Sequence, residues 1–258
     1  MPRSLVTGAG HRLGRAIALY LAGRGHSVAV HYAHSAAGAR ATVDQIVAMG
    51  GTAHALQADL LDEDAAEALL PRAAEILGGP ITCLINNASI FEDDSLTTAT
   101  KTSWDRHMGS NLRAPFVLSQ AMAAQNLAPV IENNEPVATG LIVNMIDQRV
   151  RKLTPHYMTY TIAKAGLWAM TQTTARALAP AVRVNGIGPG PTLKGADQTD
   201  AGYAKQRSAT VLQRGANPAD ITAAIGYLLD APAVTGQLLC VDGGQHLAWE
   251  TPDVIGTE

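Results

Sequence analysis

The chain is poor in several things, and each shortage narrows what it can do. Among its 258 residues are only two cysteines, Cys83 and Cys240, both inside apolar runs (ITCLI and QLLCV). No spacing supports a disulfide or a thiolate metal site, so both are expected to be reduced core thiols. His31 and His34 lack a third ligand at a recognisable spacing, and no metal is expected. Basic residues are not in excess: 19 stand against 22 acidic ones, for a formal net charge of −3. Without a basic stripe there is no electrostatic footprint for nucleic acid. No apolar run approaches the ~20 residues that span a bilayer. The opening MPRSLVTGAG goes straight into a strand and a glycine turn, unlike a leader peptide, so a cytoplasmic protein is expected. Aromatic residues make up 4%, with two phenylalanines, so an aromatic ring near a site carries information.

What is present is core-forming material. Hydrophobic residues reach 47% and charged ones 16%, which suits a soluble globular protein. Short apolar runs alternate with amphipathic stretches. SLVTG, HSVAVHY, AHALQADL and ITCLINNAS read as strands, separated by the helices RLGRAIALYLAGRG, AAGARATVDQIVAMGG and DEDAAEALLPRAAEILGG. The second half continues with a long helix over 101–125, the strand GLIVNMI, a long helix over 157–178 and the strand VRVNGIG. NPADITAAIGYLLD follows as a helix with an Asn cap and a first-turn proline, then TGQLLCVDGG as a last strand and turn. Val- and Ile-rich runs without strict alternation imply strands buried on both faces. The expected fold is α/β: a single Rossmann-type domain over 1–258, with a doubly wound parallel sheet flanked by helices. Residues 126–138 read as an exposed excursion, and 190–213 as a mobile lid or substrate loop.

VTGAGHRLGRAIA lies between the first strand and the first helix, where glycines allow close backbone approach to a pyrophosphate at the helix N-terminus. The second strand ends HYAHSAAG, with no acid to hold a ribose diol or repel a 2′-phosphate. Arg12, His34 and Ser35 offer donors to such a phosphate, which favours NADPH. His31 reads as an ordinary strand-end histidine.

The order and spacing of these pieces resemble the short-chain dehydrogenase/reductase family over nearly the whole chain. The pieces are the Thr7–Gly14 turn, Asp59, NNAS at 86–89, Asn111, Tyr160-x-x-x-Lys164, VNGIGPG at 184–190 and VDGG at 241–244. The resemblance implies a cofactor held by Gly8, Arg12, Leu13 and Gly14, by Asp59 and Leu60, by Asn87, Ala88 and Ser89, and by Pro189 and Gly190. Tyr160 and Lys164 would also touch it. It further implies Tyr160 as proton donor, Lys164 as its electrostatic activator, Asn111 as holder of a relay water, and a homotetramer built on the two long helices. Tyr160 and Lys164 share one helix face, and a nearby ammonium is expected to lower a tyrosine pKa toward working pH.

Most members carry serine where this chain has Asp147. A carboxyl accepts bonds from ring N–H groups when ionised and donates a proton when neutral. Hydride addition to C=N leaves charge on nitrogen, which must then be protonated, so Asp147 points to a nitrogen-rich ring. TGAGHRLG, HYAHSAA, NNASIF, NMID and GPG are similar to the pteridine reductase-like subgroup. By that likeness Arg12, Ser89, Phe91, Asp147 and Tyr160 contact a pterin or folate-like substrate, with Phe91 stacking the ring against the nicotinamide. Two alternatives stay open: a carbonyl or alcohol oxidoreductase of the same fold, and a non-catalytic NADPH-sensing protein. An ion pair from Asp147 to Lys164 or Arg149, without a catalytic role, is a third way to account for that residue.

Overall fold

The computed structural model describes residues 1–195 and 198–250; Ala196 and Asp197, within the expected substrate loop, and the last eight residues lie outside it. The first half alternates as the hydrophobic pattern predicts. The elements are β1 (Arg3–Val6), α1 (Arg12–Gly23), β2 (Ser27–Tyr32), α2 (Ala36–Ala48), β3 (Ala53–Gln57), α3 (Glu63–Ile76) and β4 (Cys83–Asn86). The second half holds α4 (Lys101–Met108), α5 (Ala114–Ala124), the short β5 (Val130–Glu132) and β6 (Glu135–Val137), β7 (Gly140–Met145) and α6 (Met158–Leu178). It closes with β8 (Val182–Pro189), α7 (Asp200–Ser208), α8 (Pro218–Asp230) and β9 (Leu238–Val241).

Seven strands form one sheet in the order β3-β2-β1-β4-β7-β8-β9, with every pairing parallel. Burial on both faces explains why the strands do not alternate in polarity. Val6, Ile85 and Val143 pack toward Ile17 and Leu21 of α1 and Ile221 and Ile225 of α8. Their chain neighbours Leu5, Leu84 and Ile142 pack the other way, on Leu69 and Leu70 of α3 and Leu118 and Met122 of α5. Cys83 is buried and Cys240 partly so; both are free, and burial pushes their thiols up to about 12 and about 11. Among the described residues no helix is long and apolar enough to cross a membrane, and none gathers three or more metal-ligating side chains.

Three segments differ from expectation. The long helix over 101–125 is interrupted by a five-residue wide turn, Gly109–Arg113, with the bonding of a π-helix. Such single wide turns cluster at functional sites, and this one contains Asn111. The 126–138 excursion is a β-hairpin: Asn133 and Asn134 both take positive φ, +50° and +65°, as a two-residue turn requires. Within 190–213 the chain forms α7, a helix with no buried residue, so no apolar stripe advertises it. It is tied down by polar bonds instead. Tyr203 donates to the Thr192 carbonyl, and Arg207 to those of Pro191 and Ala216.

The parallel sheet reverses its strand order between β1 and β4, which opens a crevice at their carboxyl ends. Gly14 is what lets α1 approach that crevice. A Cβ there would lie 2.2 Å from the Gly8 carbonyl oxygen and 2.6 Å from the Asn87 amide. Helix propensity alone would make Gly14→Ala stabilising by ~1 kcal/mol. The clash reverses the sign, so the variant is expected to lose ~1–3 kcal/mol. Thermal unfolding checks this; a higher Tm than the parent would contradict it.

Candidate active site

The crevice is a cavity of about 530 Å³. Its floor is the glycine turn, with Gly8, Leu13 and Gly14. Gly8 is held at φ +64°, and its N–H donates to Nδ1 of His31 at 3.0 Å. The other ring nitrogen of His31 donates to the Ala58 carbonyl at 3.0 Å. A ring that accepts at one nitrogen and donates at the other is neutral, and burial pushes its pKa down to about 4. His31 is thus a strand-end residue that pins the turn to the segment after β3. Thr7 pins the other side: its hydroxyl oxygen accepts from the Asn87 and Ala88 amides at 2.8 and 2.9 Å.

Arg12 takes φ +50°, a left-handed conformation that favours glycine and costs an L-residue ~1–2 kcal/mol. A non-glycine residue held there points to a side chain with a task. Its guanidinium lines the cavity and donates to the carbonyls of Lys194 at 2.8 Å and Leu193 at 3.3 Å. The expected phosphate ligand is therefore also the tie between the glycine turn and the loop after β8. One wall carries His34, Ser35 and Asp59, the opposite one Asn87, Ala88 and Ser89. The Leu60 side chain packs in the core, so a contact of Leu60 with a cofactor would run through its main chain. Asp59 Oδ1 accepts the Leu61 amide at 3.0 Å, a turn that accompanies Leu60 packing in the core while Leu61 lines the cavity. Pro189 and Gly190 end β8 beside β9: Pro189 pairs with Val241, and a Cβ on Gly190 would sit 2.6 Å from that of Asp242.

Beyond Ser89 lies a second group of side chains. Tyr160, in the first turn of α6, donates its hydroxyl to Asp147 Oδ2 at 2.9 Å. The second carboxyl oxygen accepts the Arg149 amide at 2.8 Å, capping a short helical turn after β7. Asp147 thus spends its oxygens on a phenol and an amide, rather than on the Lys164 ammonium. Lys164 is 2% exposed, donates to the Met145 carbonyl at 2.7 Å, and lies 5.6 Å from the Tyr160 ring centre. Burial lowers its pKa to about 8. Burial, and then the Asp147 charge and hydrogen bond, hold Tyr160 well above the usual tyrosine value. The net shift is opposite to the expected lowering: the phenol is buried and faces a carboxyl, and both effects outweigh the downward pull of Arg149 and of a hydrogen bond with Ser89. Burial also pushes Asp147 upward from the usual carboxylate range. Both groups are thus pushed toward their protonated forms.

Asn111 and Phe91 have more neighbours than expected. Expected to hold a relay water, the Asn111 side chain clamps the main chain of Ile90, donating to its carbonyl at 2.8 Å and accepting its amide at 2.9 Å. Phe91 lies flat on Tyr157, centroids 4.3 Å apart and planes 5° apart, and meets the Tyr160 ring edge-on at 4.8 Å. The ring is still 53% exposed, which leaves it open to a flat ligand. Arg149 covers Tyr157, 4.9 Å from its centre. Tyr157, Thr159, His107 and Asp94 all join this neighbourhood without a motif to announce them. The one available signal was a helix start, Tyr157-Met158-Thr159, that lacks an ordinary capping residue at its first position.

Comparison with known proteins gives the family and the fold. The family model described as enoyl-(acyl carrier protein) reductase matches residues 8–246. The 3-oxoacyl-[acyl-carrier-protein] reductase FabG of Staphylococcus aureus (strain Mu50) is 33% identical over 251 residues, 95% of this chain and 98% of that protein. The crystal structure of FolM alternative dihydrofolate reductase 1 from Brucella suis, in complex with NADP, matches with a TM-score of 0.90 at 39% identity, covering 98% of each chain. The angucycline C-6 ketoreductase LanV with bound NADP matches with a TM-score of 0.85 at 28% identity, covering 95% of this chain and 96% of that one.

Lys164 gives a pH signature with a definite sign. Its folded pKa, about 8, lies below the ordinary 10.5, so folding carries a cost while both states are protonated. That drop corresponds to ~3 kcal/mol, present below pH 8 and removed as the pH rises to 10.5. Lys164→Met is expected to abolish this rise in stability with pH. Urea unfolding of both proteins at pH 7.5 and 10 checks it; parallel changes in the two would contradict it.

Proposed function

The chain belongs to the short-chain dehydrogenase/reductase family, and from that membership we propose that it reduces a pteridine, taking a dihydropterin or dihydrofolate to the tetrahydro form with NADPH. The observation that carries the reading is the Asp147 carboxyl bonded to the Tyr160 hydroxyl. The FolM relative, named as an alternative dihydrofolate reductase and crystallised with NADP, supports it.

The cavity fits the dinucleotide. The first turn of α1 has no side-chain cap, Gly8 leaves backbone bare beside Ala88, and no acid lines the wall after β2. Gly8, Leu13 and Gly14 would receive the pyrophosphate. Arg12, His34 and Ser35 would receive the 2′-phosphate, Asp59 the adenosine side, and Asn87, Ala88 and Ser89 the nicotinamide side. NADPH supplies the hydride. The protein supplies orientation and one proton per C=N bond reduced. Phe91 would hold the flat ring and Tyr160 would give its proton to the ring nitrogen. Asp147, once it has taken up a proton from solvent, would pass it to Tyr160 across their shared hydrogen bond and so restore the phenol. Lys164, a buried cation at α6, would stabilise the phenolate formed in passing. Asn111 would keep the Ile90 segment in place beside them. A second copy of the chain would cover the apolar groove of Met108, Leu112, Phe116 and Met170, consistent with a tetramer built on the long helices.

Carbonyl reduction is the second reading, favoured by the FabG relatives and the ketoreductase neighbour. An NADPH-oxidation screen across dihydrobiopterin, dihydromonapterin, dihydrofolate, a 3-oxoacyl thioester and simple ketones separates the two. Turnover of a dihydropterin or dihydrofolate, with kcat/KM at least tenfold above any ketone, is expected. Turnover of ketones alone favours the second reading. NADPH binding without turnover of any compound favours a sensor.

A further inference from the structure

Helix α6 carries Tyr160 in its first turn, yet that turn has no cap of its own. Tyr157 at its start is left-handed, φ +56°, and makes no side-chain bond to the turn. First-turn N–H groups must find partners elsewhere or the turn frays. Two residues of the loop between β4 and α4 supply them. Asp93 Oδ1 accepts from the Tyr157 amide at 3.3 Å, the Asp94 carbonyl from Met158 at 3.2 Å, and Asp94 Oδ1 from Thr159 at 3.0 Å. Asp94 is 5% exposed, and its other oxygen accepts the Thr159 hydroxyl at 2.5 Å. That hydroxyl oxygen accepts in turn from Nδ1 of the fully buried His107 at 2.6 Å. Nε2 of His107 accepts the Glu92 amide at 3.2 Å, which selects the neutral tautomer protonated at Nδ1. The same imidazole meets the Tyr160 ring edge-on, centroids 6.0 Å apart.

We propose that Asp94, Thr159 and His107 form a buried clamp that positions Tyr160 against Asp147. The clamp holds residue 159 by its amide and hydroxyl and residue 160 by its ring. It also ties down Glu92 and Asp94, just after Phe91 in the chain. None of the three bonds the Asp147 carboxyl or the Tyr160 hydroxyl, so they act through Tyr160 as positioning residues. Removing the Thr159 hydroxyl breaks two links at once and frees the first turn of α6 to rotate. A misplacement of ~1 Å at a reacting group costs on the order of a hundredfold in rate. The clamp serves Tyr160 whichever substrate class the enzyme takes.

The test is Thr159→Val, which keeps shape and loses the hydroxyl, beside Thr159→Ser, which restores it. Activity is read with whichever compound of the screen is turned over. Thr159→Val is expected to lower kcat at least tenfold, with the NADPH dissociation constant within twofold of the parent, while Thr159→Ser keeps kcat within twofold. Parental kcat in Thr159→Val would overturn the proposal, as would an equal loss of NADPH binding. Should Thr159→Val not fold, Asp94→Asn carries the same expectation: with its single acceptor oxygen on the Thr159 amide, its NH2 faces the Thr159 hydroxyl and cannot accept from it. If no compound is turned over, hydrogen exchange decides. Residues 157–161 should lose protection in the variant while 165–175 keep theirs, and unchanged protection at 157–161 would refute the clamp.

Discussion

A single hydrogen bond, from the Tyr160 phenol to the Asp147 carboxyl at 2.9 Å, sets the demands that the rest of the site meets. Both groups are acids, and sharing a proton between them depends on keeping water away. In a dry setting a misplaced polar atom is costly, so the surroundings must be held in place. The fold does this by cross-linking β4, β7 and α6 with buried side chains. Asn86 donates to Asn144 at 2.8 Å, Asn144 to Thr171 at 2.9 Å, and Thr171 to the Leu167 carbonyl at 2.8 Å. Lys164 adds a further link by donating to Met145 at the end of β7. Strand and helix are thus joined at Lys164 and Thr171, about one and three turns along α6 from the phenol.

Burial also sets the protonation states. It raises Asp147 and Tyr160 and lowers Lys164, so each group is pushed toward its neutral form. Charge at this site is therefore expensive at rest and available when a reacting atom demands it. Two acids with raised pKa values suit delivery of protons to nitrogen, whereas a lone hydroxyl in place of the carboxyl would leave Tyr160 without a partner to reload it.

Much of this was legible in the sequence because it rests on local rules. The seven sheet strands and their helices announce themselves by apolar runs, and the glycine turn by its place between β1 and α1. Asp147, Tyr160 and Lys164 do meet as their spacing implies. What stayed hidden depends on tertiary contacts. Asp94 and His107 are ordinary letters until the fold brings them to Thr159, 65 and 52 positions away. Which of Leu60 and Leu61 turns its side chain inward is decided by a turn closed by Asp59, which the letters do not show. The upward shift of Tyr160 follows from the burial of that side chain beside a carboxyl, which no motif records. α7 escaped notice because polar bonds, rather than an apolar stripe, hold it in place.

The central claim is that the carboxyl of Asp147, and not the fold at large, selects C=N over C=O chemistry. The direct measurement is the ratio of kcat/KM for dihydropterin to that for a ketone, in the parent and in Asp147→Ser, with NADPH binding monitored alongside. The ratio should fall at least a hundredfold in Asp147→Ser while NADPH affinity holds within twofold, ~3 kcal/mol of selectivity carried by one side chain. An unchanged ratio would contradict the account.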